Sequence, residues 1–123
     1  MPYKNTWEQN GLLRKFTGVI SGEEILESNF ALHEDPRFSD IKYIINDFSE
    51  IAGHSIEEAH TKIYAYTDEI ISNSKRRLKI ALVVSQSEYI PIAESYRELM
   101  DGKLFECEIV NVIDDARLWI GQN

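Results

Sequence analysis

The residues best able to do chemistry gather in one stretch, Asp47-Phe48-Ser49-Glu50-Ile51-Ala52-Gly53-His54-Ser55-Ile56-Glu57-Glu58. A Ser-His-Asp hydrolase would draw on Ser55, His54 and Asp47. Adjacent serine and histidine side chains rarely converge, and no G-x-S-x-G elbow presents a nucleophile, so the pattern does not spell such an enzyme. A metal site would draw on His54, Glu57, Glu58 and His60. Six positions separate the histidines and turn them to different helical faces, unlike H-E-x-x-H, whose spacing brings two imidazoles to one ion. The expectation is therefore no catalytic residue, no metal and no cofactor. Ser55 keeps two readings. As a helix N-cap, its hydroxyl accepts from first-turn amides. As a phosphoacceptor, it would gain from the helix dipole but face repulsion from Glu57 and Glu58.

Further along, Ser85, Ser87 and Asp114 join Asp47 and Ser49 as polar residues at or just after the ends of apolar runs. They could line one crevice at the carboxyl ends of parallel strands, with Tyr89 as an aromatic wall. Turns and caps use the same residue types. Lys75-Arg76-Arg77 with Lys79 is the one basic run. It reads as a helix C-terminus matched to its dipole, or else as a docking patch for an anionic surface or acidic partner. Cys107 has no cationic sequence neighbour to lower its pKa and reads as a strand residue.

These groups need a scaffold, and the totals bound it. A chain of 123 residues with 43% apolar and 28% charged residues is expected to form one globular domain, 1–123. The net charge of −8 repels phosphate backbones, so no nucleic-acid partner is expected. A single cysteine forms no internal disulfide and suits a reducing cytoplasm. Met-Pro-Tyr-Lys at the start is not apolar enough for a signal peptide, and no run has the roughly 20 apolar residues of a membrane span.

Periodicity sets the order of elements. Tyr3 to Trp7 and Leu12 to Thr17 predict a hairpin turning at Asn10-Gly11. Ser21 with Glu24 forms a capping box, and Ile20 with Ile25 a hydrophobic staple, ahead of a helix burying Ile25, Leu26, Phe30 and Ala31. Asp35-Pro36 stops it. Ile41 to Phe48 predicts a buried strand. A long helix then opens at Ser55, with Ile56, Ala59, Ile63, Tyr66 and Ile70 as its inward stripe. Leu78 to Val84 predicts a second buried strand, and Ile92, Tyr96 and Leu99 a helix ended by Gly102. Phe105 to Val112 alternates like a strand near an edge, and Asp114 caps a last helix with Leu118, Trp119 and Ile120. The fold class is α/β: a mixed, mostly parallel sheet of about five strands with about four helices.

Several segments in this order resemble the STAS-type family built on the sporulation anti-sigma-factor antagonist fold, in its SpoIIAA-like branch. They are Gly18-Val19-Ile20-Ser21-Gly22-Glu23-Glu24, Asp35-Pro36-Arg37-Phe38, Tyr43-Ile44-Ile45-Asn46-Asp47-Phe48-Ser49, Lys79-Ile80-Ala81-Leu82-Val83 and Asp115-Ala116-Arg117-Leu118-Trp119-Ile120. The resemblance implies a regulatory or binding module rather than an enzyme. In the antagonists a serine at the start of the helix after the central strand is phosphorylated by a partner kinase. The nearest match here is Ser55 in Gly53-His54-Ser55, without the family's neighbouring Asp and second Ser. The branch also shares its fold with lipid-carrying domains, which implies a small apolar ligand or peripheral membrane contact.

Two readings follow. In the first, a protein partner engages the segment from Ser49 to Glu58, with Asp47, Ser49, His54, Ser55, Ser85, Ser87 and Tyr89 as contact candidates. In the second, a small apolar ligand or lipid uses the strand-end crevice and the same candidate residues, with an apolar cavity bordered by the second and third helices and peripheral association with membranes. An edge strand or exposed helix face would also support a homodimer.

Overall fold

The structure is a computed structural model that describes residues 3–75 and 77–122. Outside it fall Met1 and Pro2 of the N-terminal stretch and Arg76 of the basic run. Among the described residues the chain forms one five-stranded sheet and four helices. In chain order these are β1 (Tyr3–Trp7), β2 (Gly11–Ile20), α1 (Gly22–Glu34), β3 (Tyr43–His54), α2 (Glu58–Lys75), β4 (Leu78–Val83), α3 (Ile90–Met100), β5 (Phe105–Val110) and α4 (Ile113–Ile120). Short 3-10 turns at Pro36–Asp40 and Ser87–Tyr89 precede β3 and α3.

The strands lie side by side in sequence order, β1 antiparallel to β2 and the rest parallel. Three successive crossovers therefore step the same way, and crossovers of one hand place α1, α2 and α3 on one face. The packing agrees. Leu12, Phe16, Ile44, Ile80 and Phe105 form one core with Ile25 and Leu32 of α1, Tyr64 and Ala65 of α2, and Ala93, Tyr96 and Met100 of α3. Among the described residues the other face carries α4 alone, where Ala116 packs on Ile45, Ala81 and Val83. Because the order never reverses, the parallel sheet has no switch-point crevice of the doubly wound kind. Any interior site must lie between the sheet and the three helices.

The capping box at Ser21 is present in both directions, with Glu24 N–H donating to Ser21 Oγ at 3.1 Å and Ser21 N–H to Glu24 Oε1 at 2.8 Å. Asp35 ends α1 and its carboxylate caps the turn that follows. The hairpin turns one residue earlier than the Asn10-Gly11 reading. Glu8 N–H donates to Gly11 O at 2.8 Å, so Gln9 and Asn10 form the corner. Gly11 serves a close approach instead, since a Cβ there would sit 2.4 Å from the Tyr43 ring.

Larger departures concern β3 and α2. The strand expected to stop at Phe48 continues to His54, because β2 also runs on, to Ile20. Beyond Asp47 the partnership with β4 ends, and the two strands extend as an irregular arm with register shifts near Gly18, which takes a φ of 73°. The helix expected to open at Ser55 begins at Glu58, so Ser55 is not its first-turn cap. An imidazole takes an amide that such a cap would serve, Glu57 N–H donating to His60 Nδ1, and the preceding Ile56 N–H donates to His54 Nδ1, both at 2.9 Å. The expected inward stripe also faces out. Ala59, Ile63, Tyr66 and Ile70 are exposed, Tyr66 by 66%, while Thr61, Tyr64, Ala65, Asp68 and Ser72 are buried. Phe30 and Ala31 of α1 and Leu118 of α4 are likewise exposed, and Val112 rather than Asp114 occupies the cap of α4.

Candidate functional site

The inward face of α2 is polar because it bonds polar partners directly, Thr61 to Ser95, Asp68 to Tyr96 and Tyr64 to Gly22 O, beside a cavity. About 100 Å³ of space lies between the sheet and α1, α2 and α3. Its walls are mostly apolar, with Ile44, Phe48, Ile80 and Leu82 from the sheet and Ile25, Leu32 and Ala93 from the helices. Into this lining the fold places Arg14, Asn29, His33, Asn46, Asp68 and Tyr96.

Strand alternation brings Arg14 here. Leu12, Arg14 and Phe16 of β2 share the helix-covered face, as do Ile44, Asn46 and Phe48 of β3. Arg14 is 3% exposed. Its Nε donates to Asn46 Oδ1 at 2.9 Å, Nη1 to Ser28 Oγ at 3.1 Å and Nη2 to Asn29 Oδ1 at 2.8 Å. All three acceptors are neutral. Burial pushes the guanidinium down to about 10, partly offset by the field of Asp68. Asp68 is itself 6% exposed. Its Oδ2 accepts from the Tyr96 hydroxyl at 2.5 Å, and Oδ1 lies 3.5 Å from His33 Nε2. Burial first, and then the Asp68 charge, hold the Tyr96 hydroxyl protonated well above the ordinary range. His33 leans on Phe38, and its Nδ1 is the one buried side-chain polar atom without a partner among the described residues.

The mouth opens where β3, the β3–α2 turn and the start of α3 converge. His54, Ile56, Tyr89 and Ile92 are the partly exposed residues that line it. The His54 and Tyr89 rings meet edge to face with centroids 5.3 Å apart. Gln86 braces the arm from outside, its Nε2 donating to Ile51 O at 3.3 Å.

Of the residues singled out from sequence, His54 and Tyr89 thus come together. Asp47 does not join them: it points with Tyr43 and Ile45 to the opposite, α4 face, where Oδ1 accepts from Ser49 N–H at 2.9 Å. Ser55, Ser85 and Ser87 are exposed outside the cavity. His60 belongs to the joint between α1 and α2, over Gly22 and 3.3 Å from Glu23 Oε1. Lys75 is likewise structural, its Nζ donating to Ser39 O and Ile41 O. Cys107 lies on the edge strand with its thiol pushed up by burial. The sequence reading passed over Arg14, Asn29, His33 and Asp68. The available signal was their periodicity: Asn29 and His33 are one turn apart on α1, in register with the buried Ile25 and Leu32.

No family model and no curated protein matches the chain. Among solved structures, it is similar to an uncharacterised protein of the DUF3478 family from Shewanella loihica PV-4, described as having a SpoIIAA-like fold. The two are 17% identical, with 96% of this chain and 91% of that chain covered at a TM-score of 0.51. Five strands in a mixed sheet and four helices, in this order, give the chain a SpoIIAA-like fold.

Proposed function

We propose that this protein is a non-catalytic binding module that takes a small ligand into the cavity between the sheet and α1, α2 and α3. The observation that carries this is a mostly apolar chamber holding a buried cation, a buried carboxylate and an unpartnered imidazole nitrogen. Cores normally exclude such groups or satisfy each of them, and convergent polar groups in an apolar pocket are the usual make-up of a ligand site. The volume also limits the guest. An apolar cavity of roughly 150 Å³ takes up benzene, so about 100 Å³ suits a molecule of a few carbons. A lipid chain would require α2 and α3 to part from the sheet. Native mass spectrometry on protein purified from its own host tests the reading. A co-purifying small molecule displaced by Ala93→Leu, which fills the cavity, is the expected result. A bare chain that takes up no small molecule, with Ala93→Leu changing nothing, would overturn it.

A second reading, docking of a regulatory protein partner on the segment from Ser49 to Glu58, draws support from the exposure of Ser55 at the β3–α2 turn. A phosphate on Ser55 would act there as a surface charge, because the helix begins three residues later at Glu58. The expected signature is a partner that binds the wild type and loses affinity for Ser55→Glu while the fold persists.

A further inference from the structure

We infer that the cavity is a site for a small carboxylic acid, its carboxyl group seated between the Arg14 guanidinium and the unpartnered Nδ1 of His33. The inference rests on the ligand-binding reading above and names the chemistry of the guest. Arg14 carries five N–H donors. One on each nitrogen is used, by Asn46, Ser28 and Asn29, which leaves a second on each terminal nitrogen. None of those acceptors is charged, and the nearby carboxylate of Asp68 spends its oxygens on Tyr96 and His33. A buried guanidinium without a contact counter-ion is the arrangement that a carboxylate completes most strongly.

His33 supplies the other half. Asn29, which bonds Arg14, and His33 are i and i+4 on α1, so their side chains are neighbours roughly 5–6 Å apart at Cβ. With Nε2 turned to Asp68, Nδ1 can accept the O–H of a neutral acid, or donate to a carboxylate once His33 holds that same proton. Either way one proton serves the pair. The body of the acid would lie among Ile44, Phe48, Leu82 and Ala93.

The probes are propanoate, its neutral isostere propanamide, and dodecanoate as the fatty-acid alternative. They are titrated into the intact protein and followed by NMR shifts of the His33, Phe48 and Tyr96 rings. Propanoate is expected to bind at least about tenfold more tightly than propanamide, the worth of a charge-assisted pair. Arg14→Lys should weaken propanoate and leave the amide unchanged. Ala93→Leu, which leaves the polar cluster intact, should abolish both, and it serves as the control if Arg14→Lys does not fold. Equal affinity for acid and amide would overturn the carboxylic acid while the ligand-binding reading stands. Preference for dodecanoate over propanoate would overturn the small guest in favour of a fatty acid. Failure of all three probes to bind, with no effect of Ala93→Leu, would overturn the inference and the reading beneath it together.

Discussion

The two faces of the sheet are built on opposite terms. On the α4 face, Ile45, Ala81, Val83 and Ala116 are each 0% exposed and make a small, dry, apolar contact. On the other face, three helices enclose a larger core that contains Arg14, Asp68, Asn46, Asn29 and a cavity. The first face has what stability asks for. The second accepts desolvated charge and unfilled space, each of which costs free energy. Departure from good packing on one face only, beside good packing on the other, is the contrast on which the proposed ligand site rests.

The largest test of this contrast removes one charge. Asp68→Ala leaves the Arg14 cation without its first offsetting field, Tyr96 without its acceptor and His33 without the carboxylate it faces. Leaving a buried donor without its acceptor costs about 1–3 kcal/mol, to which the lost field of Asp68 adds. Ile45→Val on the dry face deletes one methylene and should cost about 1 kcal/mol. Urea unfolding of both variants measures the gap, and equal costs would mean that the polar face holds no special balance of charge.

A smaller pair exchanges the same side chains on both faces. Ala116→Leu forces bulk into the contact with Ile45, Ala81 and Val83 and should cost about 1–3 kcal/mol. Ala93→Leu extends into the cavity instead and should cost less than Ala116→Leu. The unfolding midpoints of the two variants decide this, and a large loss for Ala93→Leu would mean that the cavity has no usable room.

The frame of the fold was legible in the residues. Asp35-Pro36, the Ser21–Glu24 box and the alternation of apolar runs give the element order, because these are local devices that act within a few residues. The mouth was half legible, since the end of β3 and the turn before α3 bring His54 and Tyr89 together. The polar interior was not. Arg14 stands beside Lys15 in a strand, where alternation alone does not say which of the two faces inward. The rule that buries isoleucine before threonine and aspartate also chose the wrong side of α2. That helix turns Thr61 and Asp68 inward because Ser95 and Tyr96 wait there to bond them. Only the tertiary partners reveal the preference.

Two tyrosines on α2 isolate that inversion at the scale of a single hydroxyl. Tyr64 is buried and donates to Gly22 O at 2.6 Å, tying α2 to the start of α1. Tyr66, two residues on, points to solvent. Tyr64→Phe removes a buried donor and leaves a carbonyl short of its partner, so it should cost about 1 kcal/mol. Tyr66→Phe removes the same atom from the surface and should stay within about 0.5 kcal/mol of wild type. Thermal unfolding of the two variants under one condition gives the comparison directly. If Tyr66→Phe proved the costlier, the apolar stripe of α2 would face the core after all, and the polar cluster around Arg14 and Asp68 would lose the helix face that completes it.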